Sequence, residues 1–229
     1  MFKAFASFVA LLLIASATAV VAQIPNVNLA NSIIAARQKN NSMMVQFTWT
    51  AQTQISKDGN VKDTRIQQVS YGPDGVPQYV LLNDIGAPMP RGFFRRSIAE
   101  NEKEELEKYL KGLEKLIAQY TLPTPGALVN FLAGASIVNA TDPYGQPILQ
   151  TTGSNVINPG DTMTITFDSV TFNTKSMEMT TTFDNQPVTM SATFRSITPG
   201  LNHMQYATVD VPGKGLVVQV HNYDYVPNN

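Results

Sequence analysis

From Asp161 to Tyr225 apolar and polar residues alternate almost without a break. Met163, Ile165 and Phe167 are followed by Met177, Met179 and Phe183, then Val188, Met190, Ala192 and Phe194, then Leu216, Val218 and Val220. The positions between them are mostly Thr, Ser, Gln or charged. A period of two marks strands with one apolar and one wet face, because successive side chains leave the backbone on opposite sides. Such a face needs a cover. Helices of the same chain could supply it, or an apolar guest.

The N-terminal half shows the same habit and then breaks it. Asn26 to Asn41 is amphipathic, with Val27, Ile33 and Ile34 on one side and Arg37, Gln38 and Lys39 near its end, where cations suit a helix dipole; this predicts a short first helix. From Met43 to Ile55 the alternation resumes, with Met43, Val45, Phe47, Trp49, Ala51 and Ile55 on one parity. At about 3.3 Å per residue that stretch would span on the order of 43 Å, so a long, curved strand is expected. Asp58-Gly59 supplies the positive φ of a tight hairpin, Val61 to Tyr71 returns, Gly72-Pro73-Asp74-Gly75 turns again, and Val76 to Asn83 makes a third strand.

The period then changes. Ser97 with Glu100 reads as a capping box, and Leu106, Tyr109, Leu110, Leu113, Leu116, Ile117 and Tyr120 recur at helical steps until Pro123. Pro125 to Ala135 predicts a second short helix with an apolar surface at Leu128, Val129, Phe131 and Leu132. Strands follow to the end. A sheet interrupted by helices and then continued predicts an α+β fold: a strongly curved antiparallel sheet, an unclosed β-barrel, with helices across its concave face. A two-layer sandwich is the alternative, but it would leave the leucine-rich helix nowhere to pack.

The first 22 residues read as an export signal: Lys3 gives a positive start, Phe8 to Ala15 an apolar run, and Val20-Val21-Ala22 a small-residue cleavage site. The run is shorter than the roughly 20 residues of a spanning helix. Residues 23–229 then form one domain, with a helical insertion at about 97–135, exported to the periplasm or beyond the cell. With no cysteine there is no disulfide framework and no lipid-attachment cysteine. A net charge of −1 with balanced signs speaks against nucleic acid as partner.

No nucleophile elbow, metalloprotease pair, phosphate loop or dinucleotide fingerprint is present, so a binding protein without catalysis, cofactor or metal is expected. His203 and His221 lack ligand-spaced companions and read as surface or hairpin residues. Asp142, Asp161, Asp168, Asp184, Asp210 and Asp224 fall mostly at expected turns or strand ends, where aspartate caps backbone amides. Arg91-Gly92-Phe93-Phe94-Arg95-Arg96 could meet anionic head groups or be a solvated loop, and Glu100 to Glu107 places negative charge in the first turns of the long helix. Asn40-Asn41-Ser42 matches a glycosylation pattern, a cheap match. Of nine methionines, Met43, Met44, Met163, Met177, Met179 and Met190 fall on expected strands. Their flexible thioethers would line an adaptable pocket or simply fill a core.

The whole arrangement resembles the LolA-like family of periplasmic lipoprotein carriers. The likeness rests on the signal, the first helix leading into Met44-Val45-Gln46-Phe47-Thr48-Trp49-Thr50, the Tyr71-Gly72-Pro73-Asp74-Gly75 turn, the helical insertion, and a closing hairpin through Val209 to Leu216 and Asn222-Tyr223-Asp224-Tyr225. The resemblance implies a helical lid over an apolar cavity that holds acyl chains of a lipid or lipoprotein, a monomer, and a possible protein partner at the membrane surface. Val45, Phe47, Trp49, Met163, Ile165, Phe167, Met177, Met179 and Met190 on the strands and Leu113, Ile117 and Phe131 on the helices are the expected ligand-binding residues. The resemblance adds Arg65 as the candidate for an arginine at the cavity mouth.

Overall fold

The computed structural model describes residues 23–72, 76–85, 93–121, 124–198 and 200–228. The expected signal segment, the Pro73-Asp74-Gly75 part of the second turn, Arg91, Gly92 and Pro123 lie outside the described residues, as do the side chains of 93–102. The chain runs α1 (Gln23–Met44), β1 (Phe47–Lys57), β2 (Asn60–Tyr71), β3 (Pro77–Asp84), α2 (Phe93–Thr121), α3 (Pro125–Gly134), β4 (Ser136–Thr141) and β5 (Pro147–Ser154). It continues through β6 (Thr162–Asp168), β7 (Thr174–Phe183), β8 (Gln186–Thr198), β9 (Leu201–Val211), a 3₁₀ turn (Pro212–Lys214) and β10 (Leu216–Pro227).

The ten strands among the described residues lie in one antiparallel sheet ordered β3-β2-β1-β10-β9-β8-β7-β6-β5-β4. Each neighbour is also a neighbour in sequence except β1 on β10, where Ala51 faces Asn222 and Ile55 faces Val218. The sheet is curled and unclosed, with β3 and β4 as its two edges. That order dictates the path of the helices. The chain leaves β3 at one edge and re-enters at β4 on the other, so α2 and α3 must cross the sheet.

Strand register lines up the predicted parity across the sheet. Gly153, Met163, Met179, Met190, Val209, Val218 and Ile55 stand opposite one another from β5 to β1, and Thr151, Ile165, Met177, Ala192, Ala207, Val220 and Thr53 form the next row. A wet row, Thr152, Thr164, Glu178, Ser191, Thr208, Gln219 and Gln54, occupies the convex side. The helices cover the apolar rows. Ala30 and Ile33 of α1, Leu116 and Tyr120 of α2, and Leu128, Phe131 and Leu132 of α3 pack on the methionine-rich strands β5 to β9. Farther up α2, Leu106, Tyr109, Leu110 and Leu113 pack on Ile55, Val188, Val211 and Leu216. Each buried large aliphatic or aromatic side chain contributes about 1.5–3 kcal/mol.

Several boundaries differ from expectation. The first helix is longer than Asn26 to Asn41 and takes in Met43 and Met44, so the long strand begins at Phe47. The helix end is wound up by Val45 N–H donating to the Asn41 carbonyl at 3.3 Å and Gln46 N–H to that of Met43 at 3.1 Å. It is also clamped to β9, where Asn40 donates to the Asn202 carbonyl at 2.9 Å and accepts from its N–H at 2.6 Å. Ile33 and Ile34 of the expected stripe face the core together with Ala30, while Val27 is exposed. The long helix starts at Phe93, which puts Ser97 inside it and Glu100 to Glu107 beyond its first turn; neither the capping box nor the dipole argument holds there. A side-chain cap is found instead at α3, where Thr124 Oγ1 accepts from Ala127 N–H at 3.2 Å, with Pro125 at the first helical position.

One polar cluster fixes the C-terminal end of α2. Asp161 is 1% exposed and its carboxylate accepts from the N–H groups of Val156 at 2.5 Å, Ile157 at 2.8 Å and Asn158 at 2.8 Å. Tyr120 Oη lies 2.5 Å from the same carboxylate and 2.9 Å from Thr181 Oγ1. Burial pushes the Asp161 carboxyl up, but these donors outweigh it and hold it below the usual range. Burial and the bond to Asp161 push the Tyr120 phenol up to about 12. The Asp161 contribution is therefore complete above the unfolded carboxyl's value of about 3.9 and is lost as pH falls through the depressed folded value. Asp161→Asn should lower the unfolding free energy by about 2–3 kcal/mol at neutral pH, since hydrogen bonds to a charged group are worth more than neutral ones. Urea titrations should show the gap to wild type closing below about pH 4, and a pH-independent gap would contradict the assignment.

Candidate functional site

The concave floor is apolar from β5 to β1 and changes character at β2. The first inner row ends with Ile55 facing Asp63, and the second with Thr53 facing Arg65. Arg65 Nε donates to Asp63 Oδ2 at 2.8 Å, and Arg65 itself faces Asp84 on β3. Burial pushes the Asp63 carboxyl up, Arg65 opposes this, and the adjacent Asp84 carboxylate adds to the rise. Asp63 Oδ1 is buried without a hydrogen-bond partner. At about 4.8 Å per strand step, the row from Gly153 to Asp63 follows roughly 34 Å of arc, oily at one end and charged at the other.

At the oily end lies a hollow of about 220 Å³ between the end of α2, α3 and the β5–β6 corner, walled by Tyr120, Leu128, Phe131, Gly153, Val156 and Met163 and rimmed by Gln119, Asn130, Ser154 and Asn155. Its shape depends on Gly153. A Cβ there would come within 2.6 Å of the Phe131 ring, so the absent side chain is what lets α3 seat Phe131 against the sheet. The hollow is smaller than the roughly 300–1,000 Å³ of typical small-molecule pockets. A larger depression of about 410 Å³ runs along α2 between Glu104 and Lys115, but charged side chains wall it and it is open to solvent.

All of the expected ligand-binding residues but Arg65 and Val45 fall into three groups. Met163, Ile165, Phe167, Met177, Met179 and Met190 are buried side by side on the floor, with Phe131 buried above them and Ile117 half-buried beside them. Leu113 is buried over Ile55 and Val188. Trp49 and Phe47 sit apart, under the end of α1, where Trp49 stacks on Tyr225 at 5.5 Å and tilts against Tyr71 at 5.6 Å. Arg65 lies on the concave parity but far from the hollow. Val45 does not line the floor: it is 41% exposed in the turn after α1, because the helix consumed the residues expected to start the strand.

Of the surface and hairpin readings, both histidines follow the second, lying on the β9–β10 hairpin with little exposure. His203 is buried on β9 against Tyr225, 4.2 Å between rings, where burial lowers its pKa, and His221 is half-buried between Tyr206 and Tyr223 on β10. Their strands alternate irregularly near β-bulges, which hid their burial. Among the described residues no three His, Asp or Glu side chains gather as metal ligands, and no helix is long and apolar enough to cross a membrane. Of the residues that the alternation did not single out, Gly153 and Tyr120 wall the hollow, and buried Asp161 holds Tyr120 there. The Gly153 signal was present as a small residue opposite Met163, yet its role appears only with Phe131 above it.

The architecture is thus that of an unclosed antiparallel barrel wall with a helical cover over an apolar floor. Three solved structures are similar over most of their length at low identity. A DUF1329 family protein from Desulfovibrio piger has a TM-score of 0.43 at 10% identity, covering 89% of this chain and 93% of that one. A LolA superfamily protein from Nitrosomonas europaea has a TM-score of 0.39 at 10% identity, covering 86% and 94%. A domain described as an outer membrane lipoprotein-sorting protein from Vibrio parahaemolyticus has a TM-score of 0.41 at 7% identity, covering 86% and 91%. No family model matches, and no curated protein matches by sequence.

Two glycines separate packing from propensity. Gly153→Ala should cost about 1–3 kcal/mol by overpacking against Phe131. Gly126→Ala, in α3 with nothing within 4 Å of the added methyl group, should be neutral or stabilise by up to about 1 kcal/mol. Equal effects in thermal or urea unfolding would show that Phe131 does not depend on the Gly153 gap.

Proposed function

We propose that this chain is an exported binding protein that shields acyl chains of a lipid or lipoprotein on its concave floor, with α2 as a cover that gives way to the guest. The observation that carries this reading is the continuity between the hollow and the floor: Gly153 and Met163 wall the hollow and are also the first members of the inner row that runs through Met179 and Met190. Methionine suits such a floor because its unbranched thioether adapts to different neighbours. The row ends at the Asp63–Arg65 pair, so a chain laid along it would meet charge at its head and hydrocarbon along its tail.

The hollow is too small for a long chain, so entry requires α2 to shift. Its attachments favour movement about one end. The far end is tied by Tyr120 to Asp161 and by Arg37 of α1 donating to the Thr121 carbonyl at 3.3 Å. The middle is held by apolar side chains, and Tyr109 Oη is buried there without a hydrogen-bond partner. Every chain methylene removed from water would stabilise the complex by about 0.8 kcal/mol, offset by the contacts α2 gives up.

A second reading has its own support: the three packed clusters already fill most of the concave face, as in an interaction module with a completed core. Solvent extraction of the purified protein followed by mass spectrometry, together with displacement of a fluorescent fatty acid, separates the two. The carrier reading predicts co-purifying lipid or saturable probe binding. Protein that is lipid-free and ignores the probe would leave the filled-core module.

A further inference from the structure

We propose that the gap between β3 and α2 is the portal through which a fatty-acid-like amphiphile threads its tail onto the concave floor, with Tyr79 and Leu81 as its lip. The proposal rests on the carrier reading and adds to it a route and a direction of entry.

Strand register puts Tyr79 and Leu81 on the inner face of β3, opposite Val69 and Gln67 of β2. One extra residue at Leu82 bulges the strand, so that Asp84 shares their side opposite Arg65. Inner residues of the central strands are covered, as where Ile55 of β1 and Val218 of β10 pack with Leu110 and Leu113 of α2. In the two clusters that contain α2, no described residue comes from β2 or β3. Tyr79 and Leu81 are consequently 60% and 54% exposed although they lie on the inner face. α2 nevertheless runs close by. Partial burial pushes the Tyr79 phenol up, and the carboxylate of Glu114 on α2 adds to the rise. Leu110 lies one turn before Glu114 on the same helix face. The slot therefore has Tyr79 and Leu81 on one side and Leu110 and Glu114 on the other.

The opposite edge of the sheet is shut. α3 ends at Gly134 and β4 begins at Ser136, so cover and sheet are joined there by a single residue of chain. Ile137, on the inner face of β4 opposite Thr151, packs on the main core. At the β3 side, exposed apolar groups of the kind that mark ligand-binding grooves lead across Gln67 to Ala51 of β1, beside Ile55, where the inner row of the floor begins. Asp63 and Arg65 stand next to that path on β2. A tail that enters first would leave its polar head among these charges at the entrance. The stretch of α2 that borders the slot is also the stretch held by apolar contacts, which yield to hydrocarbon without stranding a hydrogen bond.

Stopped-flow uptake and release of a fluorescent fatty acid tests the route. Leu81→Arg sets at the lip a guanidinium that resists losing its water, so both rate constants should fall about tenfold, the effect of roughly 1.4 kcal/mol on the barrier, while their ratio stays that of wild type. Val80→Arg puts the same charge on the outer face of the same strand and should alter neither rate; circular dichroism melts check that both variants fold. Because the chain has no cysteine, Tyr79→Cys combined with Glu114→Cys can be bridged across the slot by a bismaleimide. Bridging should slow uptake sharply relative to the same protein before bridging. Uptake by Leu81→Arg as fast as by Val80→Arg, or a bridged protein that takes up the probe at its former rate, would overturn the portal and leave the carrier reading standing. Wild-type protein that binds no probe would remove the carrier reading and the portal with it.

Discussion

Everything in this molecule follows from the need to keep one face of a ten-stranded sheet away from water. The inner rows set methionine, valine, isoleucine and alanine opposite one another over six strands, β6 to β1, and a sheet curled around such a floor buries part of it against itself. Strand order supplies the rest of the cover. With β3 and β4 at opposite edges, the link between them crosses the concave side, and the leucines of α2 and α3 fall onto the floor. Only at β2 does the row become charged, and there Asp63 and Arg65 pair with one another.

Cover and floor are joined by two kinds of contact with different consequences. The apolar contacts of Leu106, Leu110 and Leu113 are not directional, so they can be exchanged for other hydrocarbon at little cost. The Tyr120–Asp161–Thr181 cluster is directional and buried, and losing one partner would strand the others without hydrogen bonds. On the reading proposed above, a helix fastened by a polar clasp at one end and by apolar contacts along its length would pivot about the clasp. The unpartnered Tyr109 hydroxyl lies on the exchangeable side.

The alternation was enough to place the floor: Met163, Ile165, Phe167, Met177, Met179, Val188, Met190 and Ala192 are all buried as their parity requires. Turn chemistry was legible for the same local reason, with Asp58 at φ 52° and Gly59 at φ 75° making the first hairpin, and Asp142 and Asp168 accepting from nearby backbone N–H groups. Gly215, with its φ of 58°, meets Asp58 of that hairpin across the sheet, a closeness visible only in three dimensions. Helix ends were harder to read. Met43 and Met44 fit a strand by pattern, but the clamp of Asn40 on Asn202, 162 residues away, keeps them helical. The hollow was least legible of all, since it depends on the pairing of Gly153 with Phe131 and of Tyr120 with Asp161, 41 positions apart.

The central claim is that α2 is the replaceable part of the cover. Native-state hydrogen exchange tests it most directly, because it reads the free energy of opening each segment separately. The expected result is that amides of Leu106 to Ile117 open at a lower free energy than those of Met177 to Thr181 and Met190 to Thr193, and that a saturating fatty-acid probe changes exchange in α2 while leaving the central strands as they were. Exchange of α2 only through global unfolding, with no response to the probe, would contradict it.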